Sequence, residues 1–290
     1  MSMRAVLTSL RPTQWLKNLF VFAALIFSQN LGVLSKSLQV CWAFILFCLL
    51  TSGIYLINDL FDLQEDQKHP IKSKRPLPSG RLSRPGAISI AALLTIVSLG
   101  LAFKLSVEFG LVAVAYFFLN FVYSAYLKHV VILDVMLVAA GFVLRAVAGA
   151  VVIEAEISSW LLICTILIAL FLALSKRRHE LCVLAEDSSG HRRVLGEYSP
   201  YFLDQMIGVV TASTLMSYTL YTLSPEVIHK FGTTNLKFTV PFVLYGIFRY
   251  LYLVHRQAKG GSPTHVLLTD RPLLLDILMW FVAVWVVLYR

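Results

Sequence analysis

Apolar runs of 16 to 24 residues recur nine times in this chain, and that recurrence limits its fold more than any single motif does. A helix needs about 20 mostly apolar residues to cross a bilayer. The runs are Leu16–Gly32, Leu38–Ile57, Gly86–Phe103, Phe109–Tyr126, Val130–Ile153, Trp160–Ser175, Phe202–Leu223, Phe238–Val254 and Leu273–Leu288. With a mean hydropathy of +0.76, the chain lies far from a soluble globular composition. The expected fold is an all-α membrane protein with nine transmembrane helices and a single domain over residues 1–290.

Charge placement tests that count. With a cytoplasmic N-terminus, 18 of the 25 Lys and Arg residues fall on the cytoplasmic side, 5 on the other, and Arg145 and Arg249 within helices. This split follows the positive-inside rule, and a missed or extra helix would scramble it. The N-terminus lacks a short apolar core with a small-residue cleavage site, so the first run is expected to stay in the bilayer. A net charge of +9 suits nucleic acid in a soluble chain; in one this apolar it reads as basic loops at a membrane surface, with no nucleic-acid partner. Cys41, Cys48, Cys164 and Cys182 show no metal-binding or disulfide spacing and read as small hydrophobes.

Two long connections, Asn58 to Pro85 and Lys176 to Pro200, hold much of the ionisable chemistry. Both lie on the cytoplasmic side, four helices apart. That spacing hints at an internal duplication, although the two stretches do not align.

The first connection opens with Asn58-Asp59-Leu60-Phe61-Asp62-Leu63-Gln64-Glu65-Asp66. On a helix, Asp59, Asp62 and Asp66 share one face, and Asn58 and Asp62 are an i, i+4 pair. Carboxylates so placed repel unless a cation sits between them. Their hard oxygens suit Mg²⁺, which takes one or two carboxylates plus phosphate oxygens and water. The bland alternative is an acidic helix end in water. Downstream, Lys72 and Arg75 lie in a bend set by Pro70, Pro76, Pro78 and Gly80. They read either as neutralising the acids or as sharing a phosphate with the metal.

Further along, Tyr123 to Lys128 ends the fourth helix, where Lys128 is favoured by the helix dipole and the interface. Asp134 begins the fifth helix. Arg145 lies three turns inside it, at a cost of about 2.5–3.5 kcal/mol near the bilayer centre. It needs either a polar cavity or a buried partner; no partner is evident in the sequence, and a cationic cavity wall would bind an anion. Lys176, Arg177 and Arg178 follow the sixth helix, and Lys176 and Arg177, nearest the membrane, read as anion contacts.

These residues resemble the UbiA superfamily of intramembrane prenyltransferases. The resemblance rests on the NDxxDxxxD pattern at Asn58, Asp59, Asp62 and Asp66, on the run Arg75 to Gly80, and on the helix count, and it spans essentially the whole chain. It implies a helical bundle around a central cavity open to the cytoplasm, with Mg²⁺ and a diphosphate on the acidic motif. Ordinary members carry a second Asp-rich motif after the sixth helix. Here that place reads Lys176-Arg177-Arg178-His179-Glu180, with Glu186-Asp187 a weak substitute.

Together with Arg11 to Asn18, Gly141 to Arg145 and the HPxKxxRP run from His69, this departure resembles the branch that makes decaprenylphosphoryl-5-phosphoribose. The resemblance implies transfer of 5-phosphoribose from phosphoribosyl diphosphate (PRPP) to a polyprenyl phosphate in a bacterial inner membrane, and it allows a homotrimer. It assigns metal binding to Asn58, Asp59, Asp62 and Asp66, with the three aspartates catalytic. It assigns substrate binding to Lys17, Tyr55, Lys72, Arg75, Tyr123, Lys128, Arg145, Lys176 and Arg177. The runner-up is transfer of a polyprenyl group from its diphosphate to an aromatic or other acceptor, for which the second loop should be acidic. A transporter using Arg145 and Asp134 is a third reading, disfavoured by polar loops confined to one face and by the lack of paired broken helices.

Overall fold

The computed structural model describes residues 3–69, 71–184, 193–256 and 263–289, all helical or loop, with no strand among them. Glu186-Asp187 and much of the second long connection lie outside the described residues. Eight helices are long and apolar enough to cross a membrane. The chain divides into two compact units, Met1–Ile157 and Ser158–Arg290.

The first unit begins with α1 (Met3–Ser9), a 3-10 segment (Pro12–Phe22) and α2 (Ala23–Phe27). The first of the nine expected spans is therefore not a regular α-helix. Pro12 opens it, and Arg11 before it holds a left-handed backbone at φ 51°. The long helices α3 (Leu34–Phe61), α5 (Arg84–Leu105), α6 (Val107–Ala125) and α7 (Leu133–Val152) follow, with short α4 (Leu63–Lys68) after α3.

One residue joins α5 to α6. Ser106 ends the first and caps the second, its Oγ accepting the Phe109 N–H at 3.0 Å. This tight corner keeps the fully buried Phe109 in the core with Phe47, Leu50, Ala113 and Tyr116. Ser106→Ala is expected to cost about 1 kcal/mol, read from thermal unfolding in detergent; an unchanged midpoint would mean the corner is held by packing alone. Residues facing away from the core, such as Leu93 and Ile96, are exposed, as lipid-facing side chains would be.

A smaller cluster of Leu56, Leu63, Leu77, Leu82, Ala87 and Ala91 pins the first long connection against α3 and α5. The connection is a folded clip. The Ser79 N–H donates to the Arg75 carbonyl at 3.0 Å and the Leu82 N–H to the Pro76 carbonyl at 2.9 Å. Gly80 supplies the φ of 75° that closes the turn.

The second unit contains α8 (Ser159–Leu184), α9 (Pro200–Leu223), α10 (Pro225–Phe231), α11 (Val240–Arg256), α12 (Pro263–Thr269) and α13 (Arg271–Tyr289). Arg178 of α8 pairs with Asp204 of α9 at 2.5 Å, and His255 of α11 meets the same carboxylate at 3.2 Å. Tyr218 joins Thr239 at 2.7 Å and accepts from Trp280 Nε1 at 2.9 Å. Each unit holds four of the eight candidate spans, and in each the long connection follows the first.

Candidate active site

The acidic motif straddles a helix break. α3 ends at Phe61, Asp62 sits at the junction, and α4 resumes at Leu63. Backbone bonds still run from the Asp62 N–H to the Asn58 carbonyl (2.9 Å) and from the Asp66 N–H to the Asp62 carbonyl (2.8 Å). The helical spacing therefore survives, and the Asn58 amide donates to Asp62 Oδ2 at 3.0 Å, as the i, i+4 pairing predicted. Asp59, Asp62 and Asp66 are all buried, while Gln64, Glu65, Gln67 and Lys68 face outward. The reading of a solvated acidic helix end does not hold.

The chain itself supplies the cations between these carboxylates. Arg75 Nη1 bridges Asp59 Oδ1 (3.2 Å) and Asp66 Oδ2 (2.7 Å). Lys72 lies 3.5 Å from the other oxygen of Asp66. Arg11 pairs with Asp59 and stacks over the Tyr55 ring with its guanidinium 4.9 Å from the ring centre. Lys128 pairs with Asp62. Four cations thus meet three carboxylates, a net charge of +1 before any ligand arrives. Arg11 and Lys72 have side chains about a quarter exposed and Arg75 about a third, but those of Lys128 and Asp62 are only 6% and 7% exposed.

Lys128 is more than a helix cap. The chain leaves α6 through a 3-10 turn (Leu127–His129) that buries Lys128. It then enters α7 through Ile132 at φ 69°, where the Leu133 N–H donates to the Val131 carbonyl at 2.8 Å. A β-branched residue in this positive-φ γ-turn is strained. The turn separates Lys128 from the fully buried Asp134 in the first turn of α7. Tyr123 is half-buried near the end of α6. His69, the imidazole adjoining the motif, uses Nδ1 to accept the backbone N–H groups of Ile71 (3.2 Å) and Lys72 (3.3 Å).

Arg145 has the partners that the sequence did not reveal. Its Nε donates to Asn18 Oδ1 at 2.9 Å and its Nη2 to the Tyr116 hydroxyl at 2.5 Å. The guanidinium also stacks on the rings of Tyr116 and Phe142, each 4.9 Å away. Asn18 is fixed in turn, its amide donating to Thr51 Oγ1 at 3.2 Å and Cys48 Sγ at 3.4 Å. Nearby, Trp15 Nε1 donates to Ser52 Oγ at 3.0 Å.

In the second unit, Lys176 (3.5 Å) and Arg177 (2.7 Å) both pair with Glu180, and Arg178 pairs with Asp204. The basic run thus meets two carboxylates of its own unit. Sequence reasoning did not single out Arg11, which the structure brings to Asp59, or Asn18 and Tyr116, which it brings to Arg145. Asn18 and Arg11 stood in a run singled out for its resemblance, whereas nothing marked Tyr116 beyond a hydroxyl in mid-helix.

A model of the UbiA prenyltransferase family matches residues 18–269. The chain belongs to the UbiA prenyltransferase family. It is a multi-pass membrane transferase with the all-helical UbiA fold. Its relatives include decaprenyl-phosphate phosphoribosyltransferases from Corynebacterium glutamicum, 32% identical over 98% of this chain and 86% of theirs, and from Mycolicibacterium smegmatis, 30% identical over 98% and 92%. A UbiA homolog from Archaeoglobus fulgidus, solved with GPP and Mg²⁺, matches 99% of this chain and 100% of its own with a TM-score of 0.73 and 20% identity.

For a UbiA protein, the acidic motif raises the question of a metal. Its donors, three carboxylates and the Asn58 amide, are the hard oxygens that Mg²⁺ takes. The gap between Asp59 and Asp66 already accommodates a cationic nitrogen. Among the described residues, no three His, Cys, Asp or Glu side chains close on a metal by themselves. A cation here would complete its shell with substrate oxygens and water. The residues fit Mg²⁺ on those terms.

Proposed function

We propose that this UbiA protein transfers 5-phosphoribose from PRPP to a polyprenyl phosphate, releasing diphosphate, with Mg²⁺ as cofactor. The near-full-length similarity to decaprenyl-phosphate phosphoribosyltransferases carries the reading. The cation-rich acidic motif supports it, because a donor with three phosphates needs more positive charge than a metal alone brings.

Asn58, Asp59, Asp62 and Asp66 would hold the metal, which when bound draws charge from the departing diphosphate. Lys72 and Arg75 are partly exposed and can turn from their carboxylates to phosphate oxygens without leaving the site. Lys128 is anchored by Asp62 and offers a fixed positive charge. Arg11 stacked on Tyr55 adds a second. Lys17, Tyr123, Lys176 and Arg177 complete the proposed substrate contacts. The acceptor phosphate is anionic at neutral pH, so attack needs no general base, and His69 Nδ1 is already committed to the backbone. Catalysis then comes from positioning and charge stabilisation, with inversion at the anomeric carbon.

The reading takes residues 1–290 as a single UbiA-like transmembrane domain. The segment Pro12–Phe27 makes the ninth crossing: 11 residues of 3-10 helix and 5 of α-helix rise about 30 Å, the depth of the hydrocarbon core. The N-terminus and the site face the cytoplasm of a bacterial cell, and the resemblance allows a homotrimer.

The test supplies purified protein with Mg²⁺ and two donor pairs in parallel: labelled PRPP with polyprenyl phosphate, and polyprenyl diphosphate with an aromatic acid. Label in the lipid phase from the first pair, lost in Asp62→Ala, is expected. Turnover of the second pair alone would replace this reading with prenyl transfer.

A further inference from the structure

The carboxylates that would receive a metal already have donors. Asp59 Oδ1 meets Arg11 and Arg75, Asp66 Oδ2 meets Arg75, and Asp66 Oδ1 meets Lys72. Asp62 Oδ1 meets Lys128, and Asp62 Oδ2 accepts from the Asn58 amide. Five of the six carboxylate oxygens are thus engaged by groups of the chain itself.

A divalent ion arriving alone meets two obstacles. It enters a cluster whose summed charge is already +1, and like charges a few ångströms apart repel, the more so where water is scarce. It must also displace a cation to reach oxygens of both Asp59 and Asp66.

The four cations are not equally able to yield. Lys128 is buried with Asp62, and Arg11 is stacked on Tyr55. Arg75 and Lys72 belong to the folded clip, with side chains about a third and a quarter exposed. The backbone of the clip is held. The Arg75 N–H donates to the Lys72 carbonyl at 3.0 Å, the Arg75 carbonyl accepts from Ser79, and Leu77 and Leu82 are buried. Arg75 can therefore let go by side-chain rotation alone. Its Nη1 is also the atom that ties Asp59 to Asp66, at 3.2 and 2.7 Å.

We propose that Arg75 makes the acidic motif selective for a metal–diphosphate complex over the free metal ion. In the donor-free protein its guanidinium guards the position between Asp59 and Asp66, with Lys72 beside it. Diphosphate oxygens offer both side chains an alternative anionic partner. The carboxylates then become open to Mg²⁺ only when a diphosphate comes with it. This rests on the reading of the acidic motif as the metal site, and not on which diphosphate ester is the donor. It also requires that metal and diphosphate raise each other's affinity by the same factor.

The experiment measures Mn²⁺ retained by full-length protein in detergent, by equilibrium dialysis at matched free Mn²⁺, with and without inorganic diphosphate. Wild type is expected to bind Mn²⁺ alone at least tenfold more weakly than with diphosphate, about 1.4 kcal/mol. Arg75→Gln should bind Mn²⁺ alone at least tenfold more tightly than wild type, a gain that damage to the fold cannot imitate. Adding Asp66→Asn to Arg75→Gln should abolish the gain. Lys72→Gln should shift Mn²⁺ binding the same way as Arg75→Gln, and it decides the matter if Arg75→Gln does not fold. Tight binding of Mn²⁺ alone by wild type, variants no tighter than wild type, or a gain that survives Asp66→Asn overturns the guard. No Mn²⁺ retained under any condition overturns it together with the metal reading. A protein that shows the coupling yet transfers no phosphoribose keeps the guard and loses the proposed reaction.

Discussion

Asp62→Asn is expected to destabilise the protein by about 3–5 kcal/mol and to slow transfer about 10²–10³-fold or more. The size follows from burial. The side chains of Asp62 and Lys128 are 7% and 6% exposed, so removing the carboxylate charge strands an ammonium with little water to receive it. Asn keeps the shape of Asp and its contact with Asn58, which isolates the charge. Lys128→Met in the Asp62→Asn background should recover much of the stability and none of the activity. Thermal unfolding and transfer rate, run on both singles and the double, form the cycle that separates the two roles. Equal stability of Asp62→Asn and wild type would mean that the pair is solvated and that Lys128 is not held by it.

Gly149→Ala carries the second large effect, about 3 kcal/mol, at the upper end for overpacking. The added methyl would lie 1.8 Å from the Val21 carbonyl oxygen and 2.7 Å from its carbon. Backbone atoms cannot rotate aside as a side chain can. The 3-10 segment must therefore move off α7, and Asn18, three residues before Val21 in that segment, moves with it. Loss of stability should come with weakened hold on Arg145. A variant with wild-type unfolding would show that the segment shifts freely and that the close approach is not required.

The helical spans were legible because each is set locally, by apolar length and by punctuation such as Ser106, or Ser199 before Pro200. The exception is the first. Leu16–Gly32 has the composition of a span, but Pro12 and the left-handed Arg11 start it as a 3-10 segment, which hydropathy cannot distinguish.

The clustering of the acidic motif was legible because spacing on a helix fixes which carboxylates share a face, and that spacing survives the break at Asp62. What spacing could not show was the cation between them. Asp59 meets Arg11, 48 residues away, and Asp62 meets Lys128, 66 residues away. These pairings belong to the packing of α3 against its neighbours. Arg145 shows the same limit, since its partner Asn18 is 127 residues distant.

The measurement that bears most directly on the account is ³¹P NMR of a reaction containing the protein, Mg²⁺, PRPP and a polyprenyl phosphate. Phosphoribosyl transfer predicts a lipid product carrying one phosphodiester and one phosphomonoester, with one inorganic diphosphate released per product. A lipid whose phosphate stays a monoester, with PRPP unconsumed, would contradict it.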